Sequence, residues 1–289
     1  MSLTCSAWAR RLAEPLAGTS PQAVGWLVVE LPGPWGREAA SDHRHAAPVT
    51  DIVDLPDGVR FQAIRHPDRL APATLRVVLA NSGPRPWAAT GEVADLRELA
   101  DVPVGAALDE DPPDWGTPLD DPLYLVCTHA QRDRCCATFG RPIFDTLTEA
   151  RGDAVWETSH TGGHRFAANL LILPDGLLYG GLSPFDATFV VEQYEDGQIS
   201  LPHLRGHSRY PQVVQAADVA LRLDLDLTGI GAVDFVSIDD AVVTFEVDGT
   251  RHEVTMREEE MPAHPVSCGA DPTEPTAWHA TDVSPSAVP

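Results

Sequence analysis

The sequence predicts an α/β protein with more than one domain. The chain has 289 residues, 43% of them hydrophobic, which is a globular composition in a chain longer than one ordinary domain. Short apolar runs of strand length are separated by segments of helical spacing, and after residue 122 their order is strand, helix, strand. No apolar run approaches the roughly 18 residues that a membrane-spanning helix needs.

The N-terminal part, residues 1–116, is predicted to form an α+β domain. An apolar run from Val24 to Leu31, ended by Pro32-Gly33-Pro34, indicates a buried strand. The predicted elements are a helix at 6–16, strands at 24–31, 59–64 and 75–80, and a short helix at 94–100. An acidic, proline-rich segment at 107–122 is the predicted linker.

Residues 117–224 are predicted to form a thioredoxin-like domain. The turn Pro174-Asp175-Gly176 between two apolar runs predicts a β-hairpin. The elements, in order, are a strand at 123–126, a helix at 137–150, a strand beginning at 154–156, the hairpin at 170–179, and helices at 184–195 and 210–223. This order matches a thioredoxin-like layout.

The end of the chain is predicted to be a short C-terminal β-hairpin extension and a tail. The extension covers residues 225–260, because Asp248-Gly249 is a strong two-residue turn signal between two runs of strand character. Residues 261–289 are rich in Pro, Ser, Thr and Ala, and this composition predicts a disordered tail.

The chain is strongly acidic, with a formal net charge of −23. Such a charge repels nucleic acid and anionic membranes, so we expect neither as a partner. It serves solubility, and it would also steer a redox partner protein with a basic surface. The N-terminus has no charged start followed by an apolar stretch, so we expect no signal peptide and a cytoplasmic location.

Five cysteines are present, and three of them fall within ten residues. An odd number of cysteines in a chain without a signal peptide argues against a disulfide framework. The grouping points to metal binding or thiol chemistry instead. The five are Cys5, Cys127, Cys135, Cys136 and Cys268.

The cysteine-rich segment lies at a predicted strand-to-helix junction. Cys127 ends the strand and Cys136 opens the helix, and a helix N-terminus stabilises the thiolate that metal ligation requires. A second segment, His160-Thr-Gly-Gly-His164, is predicted to be a loop, since two glycines disfavour a helix. Gly162 and Gly163 would allow the backbone to approach a metal centre and to donate hydrogen bonds to it.

Together the two segments offer two thiolates and two imidazoles. A structural zinc ion and a 2Fe–2S cluster both accept such a set, and ligand type alone leaves both open. A third alternative is a thioredoxin-like thiol oxidoreductase that uses Cys127 with Cys135 or Cys136, although a C-x-x-C motif is missing from the sequence.

The segments CTHAQRDRCC and HTGGHRFAANLLILPDGLLYGGL resemble the sucrase/ferredoxin-like proteins, which are thioredoxin-like ferredoxins. Weaker similarities occur at Gly33-Pro34-Trp35-Gly36 and Ile64-Arg65-His66-Pro67, and the resemblance covers roughly residues 20–215. It implies a thioredoxin-like fold that carries a 2Fe–2S cluster bound by two Cys and two His.

Transferred motif by motif, the resemblance implies Cys127, Cys136, His160 and His164 as ligands of the cluster. Cys136 stands nine positions after Cys127, as the last motif cysteine does in the relatives, but the adjacent Cys135 leaves the second thiolate ambiguous. The residues expected beside the ligands are His129, Arg132, Cys135, Gly162 and Gly163.

The predicted function is one-electron transfer, by a soluble electron carrier rather than a stand-alone enzyme. Two neutral imidazoles in place of two thiolates make the centre less negative, which raises its reduction potential. An imidazole ligand also has a second ring proton that can be lost, so electron transfer is expected to depend on pH. The rival predictions are the thiol oxidoreductase and a zinc-stabilised binding module.

Overall fold

The computed structural model describes residues 3–41, 48–66, 68 and 72–286, and it has the predicted mixed α/β class. A ten-stranded mixed sheet has the order β10-β9-β8-β6-β7-β2-β1-β3-β4-β5, and a four-stranded antiparallel sheet has the order β11-β12-β13-β14. In the part of the chain that the structure describes, none of the helices is both long and apolar enough to cross a bilayer.

The helices and strands follow one another along the chain as α1 (Cys5–Arg11), β1 (Gly25–Glu30), β2 (Val59–Arg65), β3 (Leu75–Asn81), β4 (Trp87–Val93), β5 (Thr117–Pro118), β6 (Leu123–Cys127), α2 (Arg134–Arg151), β7 (Val155–Thr158), β8 (Leu170–Leu173), β9 (Leu177–Tyr179), α3 (Pro184–Glu195), β10 (Leu204–His207), α4 (Gln212–Leu225), β11 (Asp234–Asp239), β12 (Val242–Val247), β13 (Thr250–Glu260) and β14 (Thr276–Pro285).

The N-terminal strands pack around β1, whose six residues are all buried. β1 pairs in parallel with β2 and antiparallel with β3. The predicted helix at 94–100 is a 3₁₀ segment at 96–101, and together with a second one at 104–108 it covers the core next to β1. Because β1 is buried on both faces, its first five residues are all apolar, and only Glu30 at its end is charged.

The junction between β2 and β7 joins the N-terminal strands to the rest of the sheet. The two strands pair antiparallel through Ile64 with Thr158 and Arg65 with Glu157. The buried Glu157 carboxylate accepts hydrogen bonds from Arg65 at 2.6 Å and from Arg141 at 2.6 Å. One continuous sheet thus includes strands from both predicted domains, and the domain limits at 116 and 224 stay predictions.

The order within the second half of the sheet is β9-β8-β6-β7. β6 and β7 are parallel and are joined by α2, whereas β8 and β9 form the predicted antiparallel hairpin. The predicted helices at 184–195 and 210–223 are present as α3 and α4. The thioredoxin-like classification of this half stays a prediction.

α2 lies unusually close to the end of β6. A Cβ atom placed on Gly140 would come within 3.0 Å of the backbone carbonyl oxygen of Cys127, so only glycine fits at this position of the helix. The close approach brings the first turn of α2 next to Cys127 and thereby positions the cysteine-rich segment.

The prediction of a disordered tail over residues 261–289 is wrong for the described residues up to 286. Strand β14 pairs with β13, and Trp278 and Val283 pack against the cluster that includes α4. The prolines at 262, 265, 272 and 275 precede the strand, so they leave its backbone free to pair. Residues 287–289 lie outside the described residues.

The predicted C-terminal hairpin is present as β12 and β13, but it is part of a sheet of four strands rather than a separate short extension. Asp248 and Gly249 both have positive φ, at 49° and 76°, as a two-residue hairpin turn requires.

We expect Gly140→Ala to destabilise the protein even though alanine favours helices. Alanine is favoured over glycine in a helix by about 1 kcal/mol, but overpacking against the Cys127 carbonyl should outweigh this gain. The free energy of unfolding should therefore fall by about 1–3 kcal/mol. Urea unfolding measures this difference. The matched control is Gly105→Ala, where an added Cβ has no described atom within 4 Å and should change little. A Gly140→Ala variant as stable as wild type would contradict the close packing of α2.

Candidate metal centre

The two segments that carry the predicted ligands, called here the ligand-bearing segments, follow the carboxyl ends of adjacent parallel strands. Cys127 is the last residue of β6, and His160 comes just after β7. β6 and β7 pair in parallel, with Cys127 opposite Thr158. Functional groups of α/β proteins commonly gather at this edge of a sheet, because the loops that follow neighbouring parallel strands meet there.

The N-terminus of α2 is fixed by Asp133. Its carboxylate accepts a hydrogen bond of 2.8 Å from the backbone N–H of Cys135 and so caps the helix. Cys135 and Cys136 consequently both lie in the first turn and are fully buried. Successive residues of a helix point about 100° apart, so the two thiols face different directions.

Cys136 faces Cys127 and His160. The possible ligand atoms of these three residues all lie within 4.8 Å of one another, and Cys136 Sγ is 3.7 Å from His160 Nδ1. His164 lies outside this group of three and faces His160 instead, with 3.4 Å between His164 Nδ1 and His160 Nε2. The structure therefore brings the four predicted ligands together as a row, with the thiols at one end and His164 at the other.

The pKa values of the two facing thiols, Cys127 and Cys136, are shifted in opposite directions. A hydrogen bond from Cys136 holds the pKa of Cys127 well below its usual range, and His160 adds to this effect against the cost of burial. The same hydrogen bond, together with burial, raises the pKa of Cys136. Burial of the pair opposes a second negative charge, so a cation would be needed for both to be thiolates.

The imidazole of His164 is favoured in its neutral form, the form that binds metals. Burial lowers the pKa of His164, the neighbouring His160 lowers it further, and the Asp133 carboxylate opposes both. His164 Nε2 lies 3.7 Å from Asp133 Oδ2, so the nitrogen that faces away from His160 points towards a negative charge.

The glycines of the histidine loop are required by its backbone. Gly162 and Gly163 have φ of 96° and 64°, in the left-handed region that favours glycine. A Cβ atom would come within 3.0 Å of Pro21 at Gly162 and of Arg205 at Gly163. The double glycine therefore has a local explanation in addition to the predicted close approach to a metal centre.

Arg205 was not singled out from the sequence, yet it holds the histidine loop. It is fully buried, and its Nη1 donates to the carbonyl of Gly162 at 2.9 Å and to Asn169 Oδ1 at 2.9 Å. Arg205 also donates to Thr19, near the N-terminus. The HxGGHxxAxN pattern pointed to Asn169, but no local spacing relates Arg205 to that pattern.

His129 lies next to His160, one of the predicted ligands, and connects it to the N-terminal part. Its Nε2 donates to the carbonyl of Gly36 at 2.7 Å, and its Nδ1 accepts from the backbone N–H of His160 at 3.2 Å. Both ring nitrogens are thus used in hydrogen bonds. Trp35 packs against this ring and also against the guanidinium of Arg65, so the two weaker sequence similarities meet next to the centre. Pro67 of the second similarity lies outside the described residues.

Two other residues expected beside the ligands have different partners. Arg132 forms an ion pair with Glu38. Cys135 faces away from Cys136, and its Sγ lies 3.6 Å from that of Cys5 and 3.5 Å from that of Cys268. A hydrogen bond from Cys5 lowers the pKa of Cys135 to about 5.

Cys5 and Cys268 are the residues that sequence reasoning missed. They lie 130 and 133 residues from Cys135 along the chain, in segments that match no motif. No spacing or motif in the sequence links either of them to the cysteine-rich segment. All five cysteines lie in the described part of the chain and are free thiols.

Altered inheritance of mitochondria protein 32 of Candida glabrata is similar to the chain, with 29% identity over 113 residues that cover 30% of this chain and 36% of the relative. The chain thus spans about a third of the length of the curated relative it matches. No solved structure matches the chain at a significant level.

The model of the family described as sucrase/ferredoxin-like matches residues 16–206. This range includes the four predicted ligands and excludes Cys5 and Cys268. Because the match covers well over half of the chain and contains both ligand-bearing segments, the chain belongs to the sucrase/ferredoxin-like family.

Proposed function

We propose that the chain is a one-electron carrier whose Cys127, Cys136, His160 and His164 bind a 2Fe–2S cluster. The observation that carries the proposal is the arrangement of these donors in two pairs. The ligand atoms of the two thiols lie within 4.8 Å of each other, and the two imidazoles approach within 3.4 Å. A 2Fe–2S cluster takes two protein ligands on each iron, so one pair suits each metal. When bound, the cluster accepts and releases a single electron.

The row of donors favours two metal ions over one. A structural zinc ion requires its four ligands around a single point. Three of the donor atoms lie within 4.8 Å of one another, but His164 extends the row beyond His160. This elongation supports a two-iron centre, and a zinc site at these four residues is the less favoured alternative.

The donor set also supports a moderate reduction potential. Two thiolates offset less of the positive charge of the irons than four do, so an added electron is better tolerated. Centres with two histidine ligands have potentials of roughly −150 to +300 mV, against about −400 mV for plant-type clusters with four cysteines. We therefore propose a carrier of moderate potential rather than a strongly reducing ferredoxin.

The surroundings of the four residues suit electron transfer through the histidine end. Cys127 and Cys136 are fully buried, whereas His160 and His164 are partly exposed. The buried thiols are shielded from water and from reaction with external thiols, which disfavours the thiol oxidoreductase alternative. A partner protein that docks at the histidine loop would come closest to the cluster, and the net charge of −23 would attract one with a basic surface.

The strand order supports the finer classification of the fold. A parallel pair joined by a helix, followed by an antiparallel hairpin and a second helix, with the order β9-β8-β6-β7, is what a thioredoxin-like unit would have. We propose that residues 117–224 form this unit. The cytoplasmic location also stays a prediction.

We expect Cys136→Ser to lose the visible absorption of the cluster and its iron, because this thiol faces Cys127 and His160. The matched control is the adjacent Cys135→Ser, which should keep both, since Cys135 faces the opposite direction. Absorption spectra and iron analysis of freshly purified full-length protein measure the difference. The reverse result would assign the second thiolate to Cys135.

Replacing the histidines tests the other pair. His160→Ala and His164→Ala should each abolish or reshape the spectrum, because each removes a donor to the second iron. If both variants kept the wild-type spectrum, histidine ligation would be wrong. A colourless wild-type protein that contains zinc at these residues would favour the zinc-stabilised binding module. A colourless protein without metal would favour the thiol oxidoreductase.

The midpoint potential is expected to fall as pH rises. Reduction adds negative charge and therefore raises the pKa of the second ring N–H of a ligating imidazole, so the oxidised form loses this proton more readily. Between the two pKa values the slope should be about 59 mV per pH unit, and at lower pH the potential should be constant. Voltammetry from about pH 6 to 10 covers the titration range of such groups. A constant potential throughout would rule out proton coupling.

A further inference from the structure

We propose that Cys5, Cys135, Cys268 and Asp133 form a second metal site, separate from the first, that binds a single zinc ion. The three Sγ atoms form a nearly regular triangle, with sides of 3.6, 3.5 and 3.6 Å. Asp133 lies beside this triangle, and both of its carboxylate oxygens are 3.8 Å from Cys5 Sγ. The possible ligand atoms of the four residues all lie within 4.8 Å of one another.

The size of the triangle fits one tetrahedral ion. Zinc binds thiolate sulfur at about 2.3 Å, so two sulfurs of a tetrahedral site lie about 3.8 Å apart. The observed separations are close to this value, and they are far from the sulfur–sulfur bond of about 2.0 Å in a disulfide. A 2Fe–2S cluster would divide its ligands between two irons, whereas these four donors converge on a single point.

The chemistry of the donors also selects zinc. Thiolates favour zinc over magnesium or calcium, and three thiolates with one carboxylate complete the four positions of a closed structural site. Cys5, Cys135 and Asp133 are buried. Without a cation the Asp133 carboxylate would be a buried negative charge against three thiols, an arrangement that a divalent ion would neutralise.

Asp133 is held in place to act as the fourth ligand. Its Oδ1 accepts from the backbone N–H of Cys135 at 2.8 Å, and its Oδ2 accepts from that of Cys268 at 2.8 Å. Oδ2 also accepts from Ser267 Oγ at 3.4 Å. Oδ1 keeps a further lone pair for an ion, since a carboxylate offers about four acceptor positions in total. The two backbone hydrogen bonds orient the carboxylate in the manner that supporting groups orient metal ligands elsewhere.

The site would fasten three distant segments together. Cys5 begins α1, Cys135 lies in the first turn of α2, and Cys268 lies in the connection between β13 and β14. A surface cavity bordered by Asp133 and Cys268 gives an ion access to the site. The family match at 16–206 includes neither Cys5 nor Cys268, so the site rests on the geometry of this chain and not on the proposed cluster.

Metal analysis of the full-length protein, produced with zinc in the medium and purified without chelators, tests the proposal. We expect one zinc ion per chain in addition to any iron. Cys5→Ala and Cys268→Ala should each lose the zinc and keep the visible spectrum and iron of wild type. Cys136→Ser should do the opposite and keep the zinc, which separates the two sites.

Cobalt gives a second measurement on the same site. In Cys136→Ser, which is expected to lack the iron chromophore, Co²⁺ added after removal of zinc should give the intense visible absorption of tetrahedral thiolate coordination. The further change Cys268→Ala should remove it. Circular dichroism checks that each variant is folded, and Cys268 is only partly buried, so its replacement is the least disruptive.

Three results would overturn the second site. The first is wild-type protein without zinc, and the second is zinc retained in both Cys5→Ala and Cys268→Ala. The third is a mass that shows a disulfide among the three cysteines. Zinc that is lost in Cys136→Ser but retained in Cys5→Ala would place the ion at the first centre and contradict the proposed cluster as well. If the protein lacked the cluster but still lost its zinc in Cys5→Ala, the proposed cluster would be wrong and the second site would stand.

Discussion

The carboxylate of Asp133 fixes the geometry on which both groups of thiols depend. It caps α2 through the N–H of Cys135, accepts from the N–H of Cys268, and lies 3.7 Å from His164 Nε2. One buried charge thus sets where the helix begins, where the C-terminal connection lies, and what the histidine loop faces. An N-cap alone is worth about 1 kcal/mol, but this one also determines which way each cysteine of the first turn points.

The continuous sheet gives the centre support from the N-terminal part of the chain. β2 pairs with β7, so the backbone that leads into His160 is hydrogen-bonded to the strand that ends at Arg65. His129 adds a second connection, from the carbonyl of Gly36 to the N–H of His160. Trp35, Gly36 and Arg65 of the N-terminal part therefore lie beside the candidate centre, and the family match includes them.

Sequence reasoning succeeded where the signal was local. The hairpin at 170–179 and α3 have their turn and capping residues within a few positions. The two segments that carry the predicted ligands are equally local, within about ten residues each, and the roles of their side chains stay predictions. It failed where a partner was distant. β14 is a strand because β13 offers it a free edge, which its own composition does not reveal, and Cys5 meets Cys268 only through the packing of α1 against residues far along the chain.

The adjacent cysteines of α2 have a mechanical consequence. Cys135 and Cys136 are fixed to the same rigid turn about 100° apart, so any rotation of the helix about its axis that carries one thiol out of its group carries the other out as well. The orientation of both groups of side chains thus depends on the rotation of α2 about its axis. The close contact of Gly140 with the Cys127 carbonyl restricts that rotation. A change at one group, such as oxidation of Cys135, would therefore reach the other as torsion of α2, in addition to the contact between Asp133 and His164.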